Sequence, residues 1–240
     1  MYDFALPPLV LHALYTRDAA PLRRWIELRP DNAITVLDTH DGIGVADVAA
    51  DRASGAPGLL SRNAIDALVE TIHLRSRGES RLASGGAARN LDTSQINCTF
   101  YDALGGRDDE HLVARAIQCF LPGIPQVYYV GLLAGRNDMA LLARTGVGRD
   151  INRHYFTADE VQQQFGRPLV ERTLALLTLR NTHPAFAGVF DASRSTPDRL
   201  VLTWSLEPDW IRLDVDLTQM HAAVASSAGH PVWQSGLDKF

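Results

Sequence analysis

Two periods organise the apolar residues of this chain. From Leu9 to Arg29 they recur at helical spacing, at Leu11, Leu14, Leu22, Trp25 and Ile26. Thr16-Arg17-Asp18 and Pro21 break that run, which predicts two shorter helices. Pro30-Asp31-Asn32 reads as a turn, 33–38 as a strand, and 47–60, with Ser54-Gly55 and Pro57-Gly58, as loop. Ser61 can cap a helix whose Ile65, Leu68, Val69 and Ile72 share one face. Residues 76–95 are polar and lack periodicity, which predicts a long loop. Asp108 and Asp109 lead into a helix through Leu112, Val113, Ala116, Ile117 and Phe120, and Pro122-Gly123 stops it. A second β-rich run covers 124–130, and 131–148 reads as loop with one helical turn. Thr157 and Glu160 have capping-box spacing, and a strong helix is predicted over about 168–181. After Pro184 the texture changes to short strands at 200–204, 210–215 and 222–224. Strands alternating with helices before about residue 185 predict a parallel α/β architecture; a small β-domain follows it.

Composition narrows the function classes. The 240 residues are 46% hydrophobic and 21% charged, as in a globular protein, and the net charge of −5 offers no basic footprint for nucleic acid. The two cysteines, Cys98 and Cys119, lie far apart without metal-ligand spacing, as expected of reduced, packed thiols in a cytoplasmic protein. Residues 1–18 lack the charged lead and cleavage site of a signal peptide, and no apolar run is long enough to span a bilayer. Met1 is followed directly by Tyr2-Asp3-Phe4, so the chain reads as starting within a structured region.

Three polar clusters carry the candidate chemistry. In ITVLDTHDGIG (34–44) an apolar strand runs into Asp38, His40 and Asp41 and is closed by Gly42 and Gly44. Residues at the C-terminal ends of strands face the ligand side of parallel α/β folds. Asp41 there is either a ligand-facing carboxylate or the cap of a turn, and Asp38, nearer the strand, can be structural. GRDINRHYF (148–156) combines Arg149, Asp150, Asn152, Arg153 and His154, a mixture suited to hydroxyls or an anion, or to solvent. GGAARNLDTSQIN (85–97) holds Arg89, Asn90, Asp92 and Gln95 in a Gly-rich loop, which can bond a polyol or lie at the surface. Arg212-Leu213-Asp214 looks like the nucleophile signature of sugar-processing barrels. Its alternation with Ile211, Val215 and Leu217 is fully explained by a strand with one polar face, so Asp214 is rejected as a nucleophile.

TVLDTHDGIG (35–44), INCTFYDAL (96–104), LPGIPQVYYVGLLAG (121–135) and GRDINRHYF (148–156), in this order, resemble the sucrose phosphorylase group of glycoside hydrolase family 13, the α-amylase superfamily. YDFALPPLVL (2–11) and LRNTHPAF (179–186) are similar to it as well. The resemblance runs from Tyr2 to about residue 190 and more loosely beyond. It implies the C-terminal part of a (β/α)8 barrel with an inserted subdomain, followed by a small antiparallel β-domain. On that plan 33–38 is about strand seven and 124–130 about strand eight. The implied divisions are 1–44 and 106–185 as partial barrel, 45–105 as insert with an acceptor-site loop, and 186–240 as the β-domain. The implied chemistry is retaining glucosyl transfer from sucrose to phosphate, giving glucose 1-phosphate and fructose, with no metal or organic cofactor. Asp41 matches the transition-state stabiliser that holds the sugar's 2- and 3-hydroxyls. His40 matches its neighbour on the same glucose, Arg149 a donor-site arginine, and Asp92 and Gln95 positions of the loop that contacts fructose or phosphate.

Two departures shape the expectation. The group typically carries Leu-Tyr where this chain has Thr93-Ser94, so phosphorylases of glucosylglycerate, glucosylglycerol or sucrose 6-phosphate are alternatives. The group's nucleophile and acid/base lie on strands four and five, upstream of the segment that Tyr2–Pro8 resembles. The chain is therefore expected to be the C-terminal part of a phosphorylase: a truncated gene, a fragmentary gene model, or half of a split enzyme that needs an N-terminal partner. Alone it is expected to be catalytically silent and prone to aggregate.

Overall fold

The computed structural model describes residues 1–50, 55, 57–85, 95–229 and 231–236. In chain order the elements are β1 (Tyr2–Asp3), α1 (Leu6–Thr16), α2 (Ala20–Leu28), β2 (Ile34–Thr35), β3 (Ile43–Gly44), α3 (Arg62–Arg75), α4 (Glu79–Ser84), β4 (Gln95–Ile96), α5 (Phe100–Ala103), α6 (Asp108–Phe120), β5 (Ile124–Pro125), α7 (Tyr129–Leu132), α8 (Met139–Thr145), α9 (Ala158–Phe165) and α10 (Pro168–Thr182). They are followed by β6 (Val189–Asp191), β7 (Arg199–Leu206), β8 (Asp209–Asp216), β9 (His221–Ser226) and β10 (Pro231–Gln234).

β1, β2 and β5 form a parallel sheet in that order, with Tyr2 opposite Ile34 and Ile34 opposite Ile124. Each parallel pairing requires a crossover, supplied by α1–α2 between β1 and β2 and by the 43–120 segment between β2 and β5. Within that segment β3 and β4 pair antiparallel, Ile43 with Ile96 and Gly44 with Gln95, so the stretch between them leaves and returns at one place. The five C-terminal strands form an antiparallel sheet in sequence order. Its β8 alternates as its sequence predicts: Ile211, Leu213 and Val215 are buried, and Asp214 faces out to a two-point pair with Arg199.

One continuous core joins these parts. α6 lies at its centre, buried on every face from Glu110 to Phe120. Three acidic residues open this helix, where they complement its dipole. The indole N–H of Trp204 donates to the Phe120 carbonyl at 2.7 Å and ties β7 to the end of α6. Asp3 joins β1 to both following helices, accepting from the Leu6 amide (3.1 Å), the Trp25 indole (2.9 Å) and Arg29 Nε (2.8 Å). The Pro7-Pro8 pair sits in the first turn of α1, where no intrahelical donor is lost.

Several elements differ from the sequence reading. The extended runs at 33–38 and 124–130 pair over only two residues each, and Tyr129 already belongs to α7. A third parallel strand, β1, adds to the two that the sequence predicts. Helix α4 occupies part of the 76–95 stretch read as loop, and 131–148 holds α8, with Asp138 as its N-cap. The helices begun by Ser61 and Thr157 are as predicted: the Ser61 hydroxyl accepts from the Ala64 amide, and both arms of the capping box form. Among the described residues the outer strands β1 and β5 each have one neighbour, and Tyr2 and Ile124 on them, with Phe4 just after β1, stand exposed. Cys98 and Cys119 are free and buried. Among the described residues no helix is long and apolar enough to cross a membrane.

Candidate active site

The site begins where β2 ends. Val36 and Leu37 continue the strand direction as buried core. Asp38 follows, also buried, with Oδ2 2.6 Å from Arg115 Nη2 on α6. Arg115 in turn donates to Gln118 Oε1 at 2.9 Å, and the Gln118 amide donates to the carbonyls of Thr35 and Gln126, each at 2.9 Å. Asp38 is thus a structural anchor that locks the end of β2 to α6 and to the start of the segment after β5.

Thr39, His40 and Asp41 then turn out of the core. The Asp41 amide donates to Thr39 Oγ1 at 3.1 Å, as in an ST-turn. Gly42 closes the turn at φ +99°, and a Cβ there would run into the Ile96 carbonyl of β4. Glycine at this position answers both demands, the left-handed backbone and the close approach.

A single turn of 3-10 helix, Gly148–Asn152, packs against this loop. Arg149 Nη1 lies 3.1 Å from Asp41 Oδ1 although the two residues are 108 apart in sequence. Arg153 Nη2 approaches the same oxygen at 3.5 Å, and His40 Nε2 lies 3.4 Å from Asp41 Oδ2. The Asn152 side-chain amide donates to the Thr39 carbonyl at 3.1 Å, and Arg153 Nε to the His40 carbonyl at 2.9 Å. Tyr128 donates to the Asn152 carbonyl; burial, and then its neighbour Tyr129, push its phenol up, so it stays a protonated donor. Side-chain exposure is 64% for His40, 54% for Arg149, 30% for Asp41 and 26% for Arg153. A carboxylate with two guanidiniums on one oxygen and an imidazole at the other is equipped to orient hydroxyls and to place negative charge beside a cationic centre.

Of the residues singled out by sequence, the structure brings Asp41, His40 and Arg149 together. Gln95, on β4 opposite Gly44, lines a cavity of about 70 Å³ with Asp38, Thr39, Gly42, Asp47 and Phe4; Asp41, His40 and Arg149 do not line it. Asp92, with Arg89, Asn90, Thr93 and Ser94, lies outside the described residues. Arg153 belongs to the site as well. It belongs to the 148–156 cluster already marked in the sequence, and it caps the short turn that carries Arg149.

No protein-family model matches the chain. The sucrose phosphorylase of Agrobacterium vitis is 57% identical over 236 residues, 98% of this chain and 48% of that protein. The glucosylglycerol phosphorylase of Marinobacter adhaerens is 44% identical over 222 residues, 90% of this chain and 44% of that protein. The crystal structure of sucrose 6F-phosphate phosphorylase from Thermoanaerobacter thermosaccharolyticum superposes with a TM-score of 0.83 at 36% identity, over 96% of this chain and 46% of that one. The chain spans about half the length of the curated relatives it matches.

Proposed function

We propose that this chain, a homologue of the C-terminal portion of the sucrose phosphorylase group of glycoside hydrolase family 13, supplies one wall of a glucosyl-transfer site that takes glucose from sucrose to phosphate, giving glucose 1-phosphate and fructose. The observation that carries the reading is the meeting of Asp41 and Arg149 at 3.1 Å at the C-terminal end of a parallel strand. Residues 1–44 and 106–185 are read as barrel, about strands seven and eight, 45–105 as the insert, and 186–240 as the β-domain.

In this reading Asp41 holds the 2- and 3-hydroxyls of the glucosyl group and places its charge beside the oxocarbenium-like transition state, with electrostatics organised before the reaction. His40 bonds the same sugar, and Arg149 turns from Asp41 to its hydroxyls. Asp92 and Gln95 contact the acceptor. The carboxylate nucleophile and the acid that protonates fructose have no counterpart among these 240 residues. These 240 residues alone therefore do not turn over; the reaction also needs the N-terminal portion that the curated relatives carry. No metal or organic cofactor takes part, and the setting is cytoplasmic.

Thr93-Ser94, where the group carries Leu-Tyr, favours a second reading of the acceptor: glucosylglycerate, glucosylglycerol or sucrose 6-phosphate as the phosphorolysed substrate. The deciding experiment mixes this chain with the separately produced N-terminal portion of the Agrobacterium relative. Glucose 1-phosphate release is then measured from sucrose and from each alternative, with the chain alone as control. Release by the pair and not by the chain is the expected result. Release by the chain alone refutes the complementation reading, and no release by the pair from any donor refutes the catalytic one.

A further inference from the structure

We infer that Arg153 is a positioning residue for the His40–Asp41 pair, with a role separate from that of its neighbour Arg149; this rests on the proposed glucosyl-transfer reading. The division follows from what each guanidinium touches. Arg149 reaches Asp41 through one side-chain contact and is 54% exposed. Arg153 is half as exposed and is fixed at three points: Nε donates to the His40 carbonyl at 2.9 Å, Nη2 lies 3.5 Å from Asp41 Oδ1, and Nη1 lies 3.6 Å from Asp150 Oδ1.

The backbone bond is the decisive one. Along the turn that presents the carboxylate, the Thr39 carbonyl is held by Asn152, the His40 carbonyl by Arg153, and the Asp41 amide by Thr39 Oγ1. Arg153 alone grips both the peptide between His40 and Asp41 and the Asp41 carboxylate. A planar fork can do this, whereas the point charge of lysine cannot serve both acceptors with the same geometry. Arg149 makes no bond to that backbone among the described residues, so it can exchange Asp41 for a ligand hydroxyl while Arg153 keeps the carboxylate in register. The charged guanidinium makes the Arg153 bond to the His40 carbonyl a charge-assisted one, the stronger class, which suits a clamp that persists through the exchange.

Arg153→Gln, Arg153→Lys and Arg149→Gln are compared in the mixture of this chain with the N-terminal portion of the Agrobacterium relative. Misplacing a reacting group by about 1 Å costs on the order of a hundredfold in rate. Arg153→Gln is therefore expected to lower kcat by about a hundredfold with KM for sucrose little changed, whereas Arg149→Gln raises KM. Arg153→Lys restores only part of the loss, and guanidinium ion added to Arg153→Ala restores more than added ammonium. Circular dichroism melts of the variants match wild type. A kcat for Arg153→Gln within twofold of wild type, full restoration by lysine, or a loss that tracks a lowered melting temperature each overturn the inference. A second arm does not depend on turnover. In ¹⁵N-arginine spectra of the 240-residue chain, the Nε–H signal that disappears in Arg153→Lys is expected to exchange slowly with water, and the Arg149 signal rapidly. Slow exchange at Arg153 in a pair that proves inactive upholds the clamp while the catalytic reading fails. Rapid exchange overturns the clamp whether or not the pair is active.

Discussion

Gly131→Ala tests the anchor beneath the candidate site. Gly131 lies in α7, directly over the Asp38–Arg115 pair, and a methyl group built on it would overlap both Asp38 Oδ2 and Arg115 Nη2. Those atoms are 2.6 Å apart, with side chains only 7% and 1% exposed, so neither can yield toward water. If α7 moves instead, the Tyr129 hydroxyl leaves the His154 carbonyl it now meets at 2.7 Å. Overpacking alone costs about 1–3 kcal/mol. Parting a buried ion pair so that a charge is left uncompensated costs about 3–5 kcal/mol. The close overlap with both partners selects the larger range. At a urea slope of about 1–3 kcal/mol per molar, the unfolding midpoint should fall by about 1 M or more, read by tryptophan fluorescence at sub-micromolar chain. Gly166→Ala is the control. Gly166 has φ −80°, and its Cβ would meet nothing closer than 3.5 Å. The same added methyl there should stabilise by about 0.4–1 kcal/mol through the unfolded chain. A Gly131→Ala protein within about 1 kcal/mol of wild type would refute the view that this pair anchors the end of β2.

The pair itself can be dissected: Asp38→Leu with Arg115→Met should cost less than either change alone, because each single variant strands a buried charge; additive losses in urea melts would count against it. Burial, reinforced by the Arg115 charge, holds His111 neutral well below the usual imidazole range, and burial lowers His12 and His73 in the same direction. The unfolded chain takes up these protons near pH 6.5 while the fold does not, so stability is complete above that value and declines as the pH drops below it. His111→Phe should flatten part of this decline between pH 7.5 and 5, and an unchanged slope would show that another group drives it. The open edges at β1 and β5, with Tyr2, Phe4 and Ile124 exposed, should make the isolated chain self-associate. Sedimentation should show mass rising with concentration, less steeply for Ile124→Lys; a monomer at every concentration would refute this.

The legible parts of the fold were those written locally. Ser61 and Thr157–Glu160 announce their helices because a cap is a contact between residues three apart. Strand extent was not legible at 33–38 or 124–130: apolar extended sequence shows burial, but a ladder ends where its neighbour ends, and β1 contributes only two residues. β1 itself is too short for any period to register. Asp38 could be read as structural from its place beside the strand. Its partner Arg115 is marked in the sequence as a charge amid Val113, Ala114, Ala116 and Ile117, on a helix buried all round. The convergence of Asp41 with Arg149 depends on the packing of two loops 108 residues apart, and only the resemblance to a known family joined them beforehand.

The exposure of that convergence bears on what the site can do. An ion pair about 4 Å apart is worth about 1 kcal/mol in water and about 4 kcal/mol where the effective dielectric constant is near 20. His40 and Arg149 are more than half exposed and Asp41 is nearly a third exposed, so in this chain the cluster works near the weaker limit. Its geometry is already set, by Arg153 and Asn152 holding the loop from one side and Gly42 closing it against β4 on the other. Among the described residues, no wall shuts it off from water. A complementing half that covered the cluster would strengthen each of its contacts without rearranging them. Binding of a sugar should therefore be weak in the isolated chain and rise steeply in the pair, and calorimetric titration with glucose, in both, separates this from a site that must be built anew on assembly.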